Sequence, residues 1–169
     1  AKLYRDWLAR PGWTFEQWLK NLESYYIGQG WSGGPHAFIG VDGRIGLFTP
    51  LTIPGTHSPA WNSRTWGIET VGEFEREPFT GSIRDNLIAV LGILHARMGF
   101  DPADYRFGVR GIHFHKEDPK TTHKSCPGRC AHVEIGHSGR VEVTECCADW
   151  KANGHVYGSA RSSSSSASS

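Results

Sequence analysis

The sequence carries almost no surplus of charge: 18 Lys and Arg stand against 17 Asp and Glu, a formal net charge of +1. That excludes the basic footprint with which proteins grip nucleic acid or an anionic membrane surface. Cysteine is scarce too, at four in 169 residues, too few for a disulfide-dense scaffold. All of them (Cys126, Cys130, Cys146 and Cys147) lie in the last third, and the adjacent Cys146 and Cys147 would make a strained pair. No apolar run approaches the roughly 18 residues that a membrane span requires. The opening residues, Ala1 to Trp7, contain neither a signal-peptide apolar region nor an initiator Met, so a mature or truncated start is expected.

What is present is enough for one domain, which usually takes roughly 100–200 residues. Seven Trp and eight Phe supply large core side chains, while 21 Gly and nine Pro are too many for a helical bundle or coiled coil. The spacing predicts a helix over Thr14–Tyr26, with Thr14 and Gln17 as a capping box. Phe15, Trp18, Leu19, Leu22 and Tyr26 form its apolar stripe, and Gly28 and Gly30 end it. Strands are predicted at His36–Val41 and Arg44–Phe48 around an Asp42-Gly43 turn. An irregular stretch to Arg64 follows, of a length that is usually either functional or disordered. Further elements are a strand at Thr65–Val71, a helix at Ser82–Met98 capped by Ser82 and Asp85, and a short strand at Val109–His115. Strands and helices interleave, which predicts a single α/β domain. The serine tract from Ser162 onward cannot bury enough surface to order itself.

Chemistry concentrates between Ile112 and Gly128, which reads Ile-His-Phe-His-Lys-Glu-Asp-Pro-Lys-Thr-Thr-His-Lys-Ser-Cys-Pro-Gly. Imidazole and thiolate are the preferred ligands of Zn²⁺, and a catalytic site needs three protein ligands and one open position. On a strand His113 and His115 would share a face. From residue types alone, a surface loop with ordinary histidines and a free thiol stands equally open.

Four segments in order resemble the zinc-dependent N-acetylmuramoyl-L-alanine amidases, a family that includes phage-type endolysins and is related to the peptidoglycan recognition proteins. They are His36-Ala37-Phe38-Ile39 with Asp42-Gly43, then Gly55–Asn62, then Trp66-Gly67-Ile68-Glu69 with Val71-Gly72, and finally His115 with Lys124-Ser125-Cys126-Pro127-Gly128. The resemblance implies a central mixed β-sheet flanked by helices, a Zn²⁺ cofactor, and hydrolysis of the amide between N-acetylmuramic acid and L-alanine. It implies His115 and Cys126 as metal ligands and Lys124 as the cation that stabilises an oxyanion. His36 falls where many members place a catalytic Tyr. His57, Trp61 and Asn62 would line the groove for a peptidoglycan or muropeptide partner, although His57 is as well suited to bonding a loop carbonyl. Whether Glu69 takes part is left open by its strand position.

The family's first zinc ligand is a His on an early strand, yet no His precedes His36. The expectation is therefore an amidase-like domain over 1–130 lacking its first strand, with His113 or His123 as substitutes if it is not, and a divergent, largely disordered tail over 131–169. A monomer that acts on the bacterial cell wall is expected, with no nucleic-acid partner and its compartment undetermined. Two rivals follow: a non-catalytic muropeptide-binding module that has lost a ligand, and a small zinc-stabilised interaction domain built on His113, His115, Cys126 and Cys130.

Overall fold

The computed structural model describes residues 12–133. Its first helix, α1, spans Phe15–Gly28, and Thr14 caps it by accepting the Gln17 amide at 3.2 Å. The reciprocal half of the expected box is absent, because the Gln17 side chain turns to Asn21 instead. The stripe is as expected: Trp18, Leu19, Leu22 and Tyr26 pack with Phe15, Phe38 and Val71.

Three short strands follow: β1 (Ala37–Ile39), β2 (Ile45–Leu47) and β3 (Ile68–Thr70). They form a sheet of order β2-β1-β3, with β1 antiparallel to β2 and parallel to β3. The central mixed sheet is therefore as the sequence implied, though each strand is shorter than expected. The hairpin turn needs only Gly43 at positive φ, +83°, and the Asp42 carboxylate closes it by accepting the Arg44 amide.

Residues paired across a sheet share a face, so Phe38, Gly46 and Glu69 point one way while Ile39, Ile45 and Ile68 point the other. The first face takes α1, and a side chain at Gly46 would strike Leu19 and Phe15. The second face takes helix α2 (Ser82–Met98), where Ile39 joins Phe74, Phe79, Ile83 and Ile88 in the larger core. Its start departs from expectation: Gly81 stands at the N-cap with no side-chain bond, since Ser82 is already helical. Gly99, left-handed at φ 70°, ends it.

The strand expected at Val109–His115 does not form. Gly108 and Gly111 take φ of +63° and +96°, which a strand cannot accommodate, and only a single bridge joins Arg106 to Arg110. A 3₁₀ turn at His115–Glu117 and a short helix α3 (Arg129–Val133) complete the described chain. The tail beyond residue 133 lies outside the described residues.

Candidate active site

β1 and β3 run parallel, so the residues just before them, His36 and Gly67, meet at one end of the sheet. His36 is fully buried. Its Nδ1 accepts the Gly67 amide at 3.0 Å, which leaves Nε2–H to donate to the Ile53 carbonyl at 3.1 Å. These two bonds define a neutral tautomer, and burial holds its pKa below the usual histidine value against the pull of the Ile53 carbonyl. The ring of His57 lies 5.4 Å away. Burial first, and then the neighbouring His36, pushes His57 down to about 4, so it too is neutral at physiological pH. Its Nε2 meets the Thr65 carbonyl at 3.2 Å. Gly67 is required here, since a Cβ would collide with the His57 ring.

The loop that carries His57 is held from inside. The Asn62 carboxamide oxygen accepts the amides of His57 at 2.9 Å and Ser58 at 2.6 Å. Trp61 is buried at 5% exposure and packs against His113 and Phe107. Of the residues expected to line the groove, Asn62 and Trp61 thus shape the loop, and His57 is set beside His36.

The metal-motif segment keeps the alternation of a strand without forming one. Ile112 and Phe114 enter the larger core, leaving His113 and His115 outside it, but the two histidines part company. His113 sits among Trp61, Tyr105 and Phe107, with Nδ1 3.5 Å from Glu117 Oε2. His115 faces the His123 ring at 5.4 Å and meets the Thr121 hydroxyl through Nε2 at 2.8 Å. Burial, then the neighbouring His123, holds the His115 pKa below the ordinary value, and a neutral imidazole is the form that binds metal. The Lys116 amide bonds the Cys126 carbonyl at 3.3 Å, which brings the two expected ligand-bearing stretches side by side. Burial and the charge of Glu69 push the Cys126 thiol up to about 11. Glu69, on the sheet face that α1 packs against, keeps a solvent-accessible side, yet burial raises its carboxyl to about 7.

His115 and Cys126 supply the donor types that Zn²⁺ prefers. Among the described residues, however, no three His, Cys, Asp or Glu side chains are placed to hold one ion. His113 and Cys130 do not join them: one lies in its aromatic pocket and the other packs on the core. The zinc-stabilised interaction domain built on those four residues is therefore not assembled.

Asp118 escaped the sequence reading. Its side chain is fully buried, with Oδ2 accepting the Ser58 hydroxyl at 2.6 Å and the Ala60 amide at 2.9 Å, and Oδ1 accepting the Lys120 amide at 2.7 Å. Burial acts to raise its pKa, but these bonds outweigh that and hold it below the usual carboxylate value. Lys124, an exposed residue, donates through Nζ to the Asp118 carbonyl at 3.3 Å. The only signal in the sequence is an acid inside a His- and Lys-rich run; its burial depends on Ser58, 60 positions away.

A mixed sheet between helices, with imidazoles, a thiol, an ammonium and carboxylates gathered on the loops around it, defines an α/β domain with the groups of a hydrolytic site. Residues 8–129 match the family described as N-acetylmuramoyl-L-alanine amidase, and the chain belongs to that family. It is similar to the solved structure of the N-acetylmuramoyl-L-alanine amidase LysC from Clostridium intestinale URNW, with 26% identity and a TM-score of 0.57 over 70% of this chain and 75% of that one. It is also similar to the endolysin N-acetylmuramoyl-L-alanine amidase LysCS from the same organism, with 25% identity and a TM-score of 0.56 over 75% of this chain and 77% of that one. No curated protein matches the chain.

Proposed function

We propose that this domain is a zinc-dependent hydrolase of peptidoglycan that cleaves the amide between N-acetylmuramic acid and the L-alanine of the stem peptide. The observation that carries the reading is the family match over residues 8–129. His115 and Cys126 would hold the metal. When bound there, Zn²⁺ would supply Lewis-acid polarisation and a water of lowered pKa.

The protein's own groups take the other roles. Lys124, tethered through its ammonium to a carbonyl, keeps its charge for the oxyanion that develops on the scissile carbonyl, an effect worth roughly 10²–10³ in rate. Glu69, on the sheet face that α1 covers, changes protonation state near neutral pH, which suits proton transfer to the leaving amine. His36 has both ring nitrogens engaged, so it serves the reaction by holding Gly67 and the Ile53 turn, and through them His57. His57, Trp61 and Asn62 form the loop against which the muropeptide rests. The absence of a three-ligand group among the described residues favours one alternative: a muropeptide-binding module without catalysis.

Zinc stoichiometry on the purified chain, paired with turbidity loss on permeabilised cell walls, separates the two. About one zinc with lysis, both lost on chelation and both lost in Cys126→Ser, is expected of the enzyme. Muropeptide binding without zinc or lysis identifies the binding module, and lysis by Cys126→Ser at the wild-type rate would overturn the zinc mechanism.

A further inference from the structure

We propose that Asp118 is a positioning residue: it locks the His57 loop to the Lys124 turn, so that the substrate-side imidazole and the ammonium keep a fixed place relative to His115. The inference rests on the amidase reading above. Every polar group of Asp118 is committed. The carboxylate takes Ser58 Oγ and the Ala60 amide from one loop and the Lys120 amide from the other. The backbone amide donates to the His115 carbonyl at 3.0 Å, and the carbonyl accepts the Thr121 amide and Lys124 Nζ, both at 3.3 Å.

Two features separate this arrangement from an ordinary structural staple. First, the carboxylate is satisfied wholly by neutral donors, with no cation on either oxygen. An ionised group buried in this way is costly unless bonded, and a buried apolar contact would join two loops at least as well. Second, Lys124 reaches the carbonyl of the same residue and not its carboxylate. A Lys124–carboxylate ion pair would hold the ammonium but quench its charge. Ser58, Ala60 and Lys120 supply the bonds to the carboxylate while Lys124 reaches the carbonyl, so the ammonium is held without a carboxylate partner. A single residue thereby orients the cation, protects its charge and ties it to the loop that carries His57.

The test uses the full chain with zinc, a soluble muropeptide, and the variants Ser58→Ala and Asp118→Asn. In Asp118→Asn, either orientation of the amide sets an NH₂ donor against a backbone N–H. Ser58→Ala removes one bond only and keeps the question open to measurement if Asp118→Asn does not fold. The expectation is that kcat falls about tenfold in Ser58→Ala and about a hundredfold in Asp118→Asn, the scale of a small misplacement, with KM within about twofold and zinc content unchanged. Combined with Lys124→Met, Ser58→Ala should cost less than the product of the two separate losses. Variants that melt earlier but turn over at the wild-type kcat would reduce Asp118 to a fold staple and overturn the proposal. A second readout does not need activity: in NMR spectra of Ser58→Ala, the Lys124 ammonium and His115 ring signals should shift. If they do not move, the two loops are not locked and the proposal fails. A wild-type chain without turnover would sink the amidase reading alone, leaving the lock to be judged by those signals.

Discussion

His57 shows how far a single environment departs from a residue's ordinary chemistry. An imidazole usually titrates near 6.5, but here burial and the facing His36 bring it to about 4. Between those values the unfolded chain binds a proton that the folded chain refuses. This contribution to stability is complete above about 6.5 and is lost as pH falls through about 4. Chemical denaturation from pH 7 to pH 4 should therefore show falling stability, and the slope should flatten in His57→Gln. An equal slope in that variant would assign the pH dependence to other groups. None of this could be read from the motif, which presents His57 only as a loop histidine between a Thr and a Ser.

Among the elements, the two long helices were legible, α3 was not, and the three strands were legible in place but not in extent. Helix α1 declares itself through a 3.6-residue stripe and an N-cap hydroxyl, both of which are local properties. Thr14→Ala should cost about 1 kcal/mol of stability, read as a lower midpoint in urea unfolding; an unchanged midpoint would mean that packing alone holds the first turn. Local sequence places the three strands but makes them too long, because where each ladder ends is set by its neighbours across the sheet. The segment at 109–115 misleads for a related reason. Its alternation reflects a real division between Ile112 and Phe114, which enter the larger core, and His113 and His115, which stay out of it, but Gly108 and Gly111 bend the backbone out of any ladder.

Across the whole molecule, one strand serves two cores. Phe38 and Ile39 are adjacent on β1, 1% and 0% exposed, yet one packs with α1 and the other with α2. The two halves should therefore unfold together. Phe38→Ala and Phe79→Ala, one on each side, should each cost about 3–5 kcal/mol and leave a single transition by both fluorescence and circular dichroism. A variant that melts one helix while the other persists would show that the faces are independent.

The sequence by itself determined the two long helices, the hairpin turn, the α/β class and, through four ordered motifs, the family. Each of these depends on residue type at short spacing, where periodicity, capping and turn chemistry act. Tertiary structure alone decided which of the candidate residues meet. It set His36 against His57, drew the Lys116 amide to the Cys126 carbonyl, and turned His113 away from His115 into a pocket of Trp61, Tyr105 and Phe107. It also buried Asp118 under a serine 60 residues distant. Such pairings follow from how the sheet brings remote loops to one place and from which carboxylate can find donors once water is gone, and neither is a property of any short stretch of chain.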